Sequence, residues 1–544
     1  MRSLRHLSHY LLQHSVRIVI SVVIATSLYS CKSNSSSGGN NGGETPPVTQ
    51  ASCGANDTPE TGVQGDIPRE DQDSGRSLLG YNCGLSPVYQ FEVAGAVQGY
   101  DHCVYIRPAT GFNPLQQNET TPIDVYDVSN PTAPIFIKTL LTAAASGLGG
   151  TSETLRVAPT TNNPDVPPLL ASGSSLYDIS DCANPIHKGD IAWPASLPWP
   201  VGLSHDIRIS HAGNRVSASL GIVTADITDL DNPESWAPKN WSCAVAGQFA
   251  TIHAILEAGP LGLCEIVSSL GLGLPEDTAP QLAHGPDHNG NGTRLYAGNQ
   301  GIPADVGDAS GFLDAGGSFE DVGDTTIRIL DLTTEPPTVL DQADGPGHAV
   351  DWFRSADGRE YILHSNEFVF VQQASCAPHP RPNSLGWAFE AFITEVTDDT
   401  LIRRSMLELD INKPEFCQEK LASGQGTSIA YHSVDDHFNA KLAMINFGDG
   451  ILPSPNPLSG AGLRVFDIRN PSEPEEVAYF NRGSLEHAGA SYYDHDAGLL
   501  YMPDASGVRV LELQPQIVSY MGLPQPSDPK YPRYPNGRAA TPAE

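Results

Sequence analysis

Five histidines recur in one local setting. His205 stands in SHDIRIS (204–210), His284 in AHGPDHN (283–289), His348 in GHAVDWF (347–353), His432 in YHSVDDH (431–437) and His487 in EHAGASY (486–492). SETLRVA (152–158) has the same shape and carries Glu153 in the histidine's place. Neutral imidazole is the commonest metal ligand and suits copper, zinc, iron and nickel; a carboxylate can complete such a set. A redox-active copper or iron, or a redox-silent zinc, would fit these residues if one architecture brought equivalent positions together. Other patterns are weaker. DHNGNGT (287–293) offers oxygen ligands at alternate positions, as a calcium loop does, but HAGN, SADG and DHDAG hold the same place elsewhere and mark a turn. His102, His211, His288, His437 and His495 fall near such turns and are expected to face solvent. His364, followed by Ser365, Asn366 and Glu367, is expected in a loop just past a strand. No GxSxG elbow, phosphate-cradling glycine loop or HExxH occurs, which weighs against serine hydrolase, nucleotide and metalloprotease chemistry.

The elements that must position the histidines come from a repeat. It reads IDVYDVSNPTAPIFIKTL (123–140), SLYDISDCANPIHKGDI (175–191), VTADITDLDNPESWA (223–237), TIRILDLTTEPPTVLDQ (326–342), SMLELDINKPEFC (405–417) and GLRVFDIRNPSEPEEVAYF (462–480), with a last degraded copy GVRVLELQPQIVSY (507–520). Apolar residues alternating at period two make a half-buried strand. Proline then stops it, because it cannot donate to the ladder and its ring fixes φ. A second strand runs back. Upstream of most copies lie two more strands around a turn rich in Gly, Asp and Asn, as in HDIRISHAGNRVSASLG (205–221) and HAVDWFRSADGREYILHS (348–365). Four antiparallel strands repeated seven times make an all-β, seven-bladed β-propeller. The last copy lacks an outer strand, and LSPVYQFEV (85–93) is an extra strand ahead of blade one. It is expected to complete blade seven or to begin blade one, and so to lock the ring. Residues 236–283 and 371–400 do not fit the repeat and are expected as insertions on one rim.

In a propeller the innermost strands line a central channel, so equivalent positions lie at one depth. The five histidines and Glu153 would converge on one mouth. The competing reading is structural. In WD-repeat propellers a recurrent histidine holds a buried network with aspartate. Asp127, Asp178, Asp226, Asp331, Asp410 and Asp467 recur as regularly here, and they either pair with the histidines or cap the turn before proline.

VYDVSNPTAP and VFDIRNPSEP resemble the LVIVD repeat of bacterial and archaeal cell-surface proteins, and the likeness extends over most of residues 85–520. It implies a propeller at the cell surface and no single reaction. A more distant resemblance links the chain to selenium-binding proteins, which include methanethiol oxidases. Those are propellers with histidine-bound copper, and the likeness carries over no individual residue.

The chain start points the same way. Residues 1–17 are basic and free of acid, and IVISVVIATSLYS (18–30) is uncharged and too short to span a bilayer. Leu28-Tyr29-Ser30-Cys31 resembles a lipobox, which implies cleavage before Cys31 and lipid on its thiol. KSNSSSGGNNGGETPPVTQ (32–50) has almost nothing to bury and reads as a leash. The expected organisation is a signal peptide (1–30), lipidated Cys31 and tether (31–80), propeller (81–520) and proline-rich tail (521–544). Lys32 favours an outer-membrane destination under the sorting rule of some diderm bacteria. A formal charge of −33 weighs against nucleic acid. Without Cys31, eight cysteines remain, an even number that reads as disulfides in an exported chain. Cys243–Cys264 and Cys376–Cys417 are the expected pairs, each bracketing an insertion. The expected function is that of a monomeric, lipid-anchored module binding a protein or glycan at the cell surface. The alternative is a copper- or iron-dependent oxidoreductase that uses the histidine mouth.

Overall fold

The computed structural model describes residues 50–108, 122–141, 155–158, 165–192, 207–218, 223–236, 285–298, 326–334, 337–344, 349–365, 391–407, 409–410, 416, 430–436, 441–448, 461–482, 490–494, 497–504 and 506–523. They form seven antiparallel sheets. From the innermost strand outward, blade one is Gly95–Tyr100, Cys103–Pro108, Pro122–Asp127 and Ile135–Leu141. Blade two is Leu155–Ala158, Leu169–Ser172, Ser175–Asp178 and Ile186–Asp190. Blade three is Ile207–Ile209, Arg215–Ala218, Val223–Asp226 and Glu234–Trp236, and blade four is Asp287–His288, Arg294–Gly298, Thr326–Asp331 and Thr338–Asp344. Blade five is Ala349–Arg354, Glu360–Ser365, Ala391–Thr397 and Thr400–Leu407. Blade six is Ala430–Asp436, Leu442–Gly448, Ala461–Asp467 and Glu475–Arg482. Blade seven is Tyr492–Asp494, Leu499–Asp504 and Gly507–Leu513, closed on the outside by Leu85–Phe91.

The core lies in the seams between blades. A strand of alternating apolar residues offers one face to each neighbour. Leu169, Ala171 and Leu176 of blade two thus pack on Ile207, Val216 and Ala225 of blade three. Tyr296, Ile327 and Ile329 of blade four meet Val350, Trp352 and Ile362 of blade five. Leu499, Tyr501 and Val510 of blade seven meet Val97, Val104 and Ile106 of blade one, so the last seam is built like the others. The extra strand does complete blade seven: Leu85–Phe91 pairs antiparallel with Gly507–Leu513. Gly507 is required there. Its φ is +141°, and a Cβ on it would stand 1.8 Å from the Phe91 carbonyl oxygen.

Three expectations are corrected. First, blade five takes its third strand (Ala391–Thr397) from the span 371–400 expected to be an insertion, and its fourth (Thr400–Leu407) from the residues that follow. The repeat copy expected at 405–417 is therefore not a third strand, and Asp410 is not equivalent to the other repeat aspartates. Asp398 and Asp399 form the two-residue hairpin between these strands, with φ of +51° and +58°. That is the primed turn which matches strand twist. Second, residues 50–80 are not a free leash. Tyr81–Cys83 adds a fifth strand to the outer edge of blade six, and a Cys53–Cys83 disulfide ties the preceding segment to it. Third, residues at the start of the expected tail belong to the body. Met521 ends a short helix (Pro515–Met521), and Met521 and Leu523 are buried against blades six and seven. The expected pairs Cys243–Cys264 and Cys376–Cys417 lie outside the described residues. A second disulfide, Cys103–Cys182, joins blades one and two.

Candidate functional site

The repeat aspartates are turn caps. The Oδ1 atoms of Asp127, Asp178, Asp226, Asp331 and Asp467 accept the backbone N–H of Ser129, Ser180, Thr228, Thr333 and Arg469, at 2.8–2.9 Å. Asn130, Asp181, Asp229 and Asn470 cap a second amide in the same turns. Three of the aspartates also hold arginine: Asp226 with Arg215, Asp331 with Arg294 and Asp467 with Arg469. These hydrogen bonds to the charged form hold the carboxyls of Asp127 and Asp331 below the ordinary carboxylate value. Of the two roles open from the sequence, the turn cap is the one seen.

Of the sequence-predicted ligands, Glu153, His205, His284, His348 and His487 lie outside the described residues. His432 is placed in the innermost strand of blade six, where only the backbone is described. The strands they precede do adjoin around the axis. The innermost strands of blades seven, one, two, three, four, five and six are neighbours in that order. Between blades four and five, Val350 N–H donates to Gly285 O at 2.8 Å.

Three residues downstream of Glu153, His205, His284 and His348 stand Arg156, Arg208, Asp287 and Asp351. The structure gathers these charges, one from each of blades two to five, and buries all four. Arg208 Nη2 lies 3.4 Å from Asp351 Oδ1, with side chains 4% and 7% exposed. The pair joins blade three to blade five across the two-residue innermost strand of blade four. Asp287 Oδ2 accepts Trp352 N–H at 2.7 Å. Burial pushes the Asp287 carboxyl up to about 7, against the pull of the Trp352 and His288 amides and of Arg156. Burial raises Asp351 well above its ordinary value too; Arg156 opposes this and the Asp287 charge adds to it. Two arginines and two acids are thus gathered in one buried cluster, in which Arg208 holds Asp351 while burial favours the protonated form of both acids.

Beside this cluster, His288 is fully buried, where a solvent-facing turn histidine was expected. Its Nε2 lies 2.8 Å from Ser217 Oγ of blade three, and burial lowers the imidazole to about 3, so it is neutral. DHNGNGT accordingly splits: Asp287 and His288 form a buried strand, and Asn289 caps the turn through Thr293 N–H. His364 is likewise a buried strand residue, 2.9 Å from Thr394 Oγ1. His102 is exposed, as expected. The charged cluster was missed because a charge inside a strand reads as an outward residue. Its signal was the fixed offset from the histidine positions.

A family model for the LVIVD repeat matches residues 120–142, the segment of blade one's third and fourth strands and their capped turn. No curated protein matches the chain. Among solved structures, a chain of "Crystal Structure of Mitotic Checkpoint Complex" aligns at 8% identity with a TM-score of 0.38, covering 86% of this chain and 99% of that one.

Proposed function

We propose that this chain, a seven-bladed propeller carrying an LVIVD repeat, is an exported module, anchored by lipid on Cys31, that binds a protein or glycan at the cell surface. The observation that carries the binding reading is the use of the repeat's polar residues. The aspartates cap turns and the channel charges hold one another, so the repeat builds a rigid frame around rims and a channel mouth. Rigid frames of this kind present ligand-binding loops. Two disulfides support export, since such bonds persist in oxidising compartments. The test is to present the purified mature chain to an array of envelope glycans and to surface proteins cross-linked on intact cells. Saturable binding that survives metal chelation supports the reading. Metal-dependent turnover without any ligand capture would overturn it.

One observation favours a second reading, a copper- or iron-dependent oxidoreductase. Five of the repeat aspartates cap turns, the alternative to the His–Asp pairing of WD-repeat propellers. Metal content of the mature chain, measured beside His284→Ala/His348→Ala/His432→Ala, separates the two. Bound metal lost in the variant supports the oxidoreductase, and none in either protein rules against it.

A further inference from the structure

We propose that reduction of Cys103–Cys182 turns the seam between blades one and two into a zinc site, with the two thiolates and the His102 imidazole as ligands. This goes beyond the binding role and rests on neither the lipid anchor nor the histidine mouth.

The ligand atoms of His102, Cys103 and Cys182 all lie within 4.8 Å of one another. Asp101 orients the imidazole: its Oδ2 lies 2.9 Å from His102 Nδ1. A carboxylate there makes Nδ1 the N–H donor and leaves the Nε2 lone pair for metal, an arrangement common behind zinc-bound histidines. Both ring nitrogens, Nδ1 and Nε2, lie 3.7 Å from Cys182 Sγ. In a tetrahedral site with Zn–N of about 2.0 Å and Zn–S of about 2.3 Å, nitrogen and sulfur stand about 3.6 Å apart. The nitrogen–sulfur spacing has the right size; the sulfurs must separate, and the half-exposed imidazole must turn to bring its Nε2 lone pair toward them.

The supports of these residues do not depend on the disulfide. His102 O accepts Val128 N–H at 2.9 Å, and Cys182 O accepts the Tyr105 hydroxyl at 2.9 Å. Asp181 caps the Ala183 amide next to Cys182. Cys103 is held in its ladder by Tyr100 on one side and Asp127 on the other. Both sulfurs are buried, whereas the His102 side chain is 47% exposed. A metal therefore enters from solvent, and the fourth position belongs to water. Borderline-soft zinc suits two thiolates and one imidazole.

The chemistry balances simply. A dithiol or phosphine reductant takes up the oxidation, giving two thiols. Zinc binding then forms two Zn–S bonds and releases two protons. The other disulfide is a poor site by comparison. Its nearby carboxylate, Asp57, already accepts the amides of Gly54 and Gly84 at 2.7 and 3.0 Å.

The experiment is a cobalt(II) titration of the mature chain, reduced with a phosphine and desalted without oxygen, followed by displacement with zinc. In a background with Cys243, Cys264, Cys376 and Cys417 changed to Ser, whose thiols the phosphine would also free, we expect one cobalt with thiolate charge-transfer and tetrahedral d–d bands in the otherwise unchanged chain and with Cys53→Ser/Cys83→Ser added. Those bands should be absent from the oxidised protein and from Cys103→Ser/Cys182→Ser. His102→Ala should shift the d–d bands, and Asp101→Asn should weaken binding about tenfold. His102 is half-exposed, so its variant remains informative even if the double cysteine variant fails to fold. Bands that persist in the oxidised chain or in Cys103→Ser/Cys182→Ser would overturn the proposal, as would a His102→Ala spectrum identical to wild type.

Discussion

Glu60, in the segment ahead of the propeller, forms an ion pair with Arg464 in the third strand of blade six, with side chains 5% and 0% exposed. Arg464 also holds Glu476 at 2.9 Å and lies over the Tyr479 ring at 4.4 Å. Glu60 further binds the Tyr479 hydroxyl through its amide and accepts Gly65 N–H and Asn481 Nδ2. A polar-looking leader is thereby keyed into the blade. Removing Glu60 leaves the buried Arg464 with Glu476 as its remaining carboxylate, so the cost is at most that of breaking a buried pair, about 3–5 kcal/mol. Glu60→Ala should lower stability by up to that amount in denaturant titration. It should also open residues 50–80 to limited proteolysis while the blades stay resistant.

The channel cluster predicts a pH effect of definite sign. Asp287 has a folded-state value of about 7, above its ordinary 3.8, so the folded protein holds this proton more tightly than the unfolded chain. Its contribution is full below about pH 4 and is lost as pH rises through 7. The stability difference between wild type and Asp287→Asn, followed by denaturant titration from pH 4 to 8, should therefore move against wild type by a few kcal/mol. A difference that stays flat across this range would mean the carboxyl is not buried as described.

Ring closure depends on Gly507 meeting Phe91. Gly507→Ala places a methyl group against the Phe91 carbonyl in a backbone conformation that L-residues rarely adopt. We expect a loss of several kcal/mol in denaturant titration. Gly358→Ala, at a positive-φ turn with open space around it, should cost much less.

Reduction should also destabilise. Cys53–Cys83 and Cys103–Cys182 close loops of 30 and 79 residues. Each bond is worth about 2–5 kcal/mol, more for the longer loop. The melting temperature in reductant, without added metal, should fall, and Cys103→Ser/Cys182→Ser should account for the larger share.

What was legible in the sequence was whatever carried its own punctuation. Blades one and six end their third strands in Asp-x-x-Asn-Pro, where period-two apolar residues meet a capped turn, and they were placed correctly. Blade five was misread because AFITEVT turns through Asp398-Asp399 with no proline, while SMLELDINKP imitates the repeat one strand too late. The leader was misread because its burial rests on ion pairs and one disulfide; Ile67 and Tyr81 are its few fully buried apolar side chains. The channel charges were overlooked for a related reason. Arg208 and Asp351 are polar by type, and only their meeting across blade four makes them interior.

We propose that lipid on Cys31 holds this propeller at a membrane. The direct measurement is detergent-phase partitioning of the chain and of Cys31→Ala, expressed with the leader intact in a bacterium that processes lipoproteins. Wild type is predicted in the detergent phase and a folded Cys31→Ala chain in the aqueous phase. Wild type in the aqueous phase, or a variant that still follows the detergent, would contradict it.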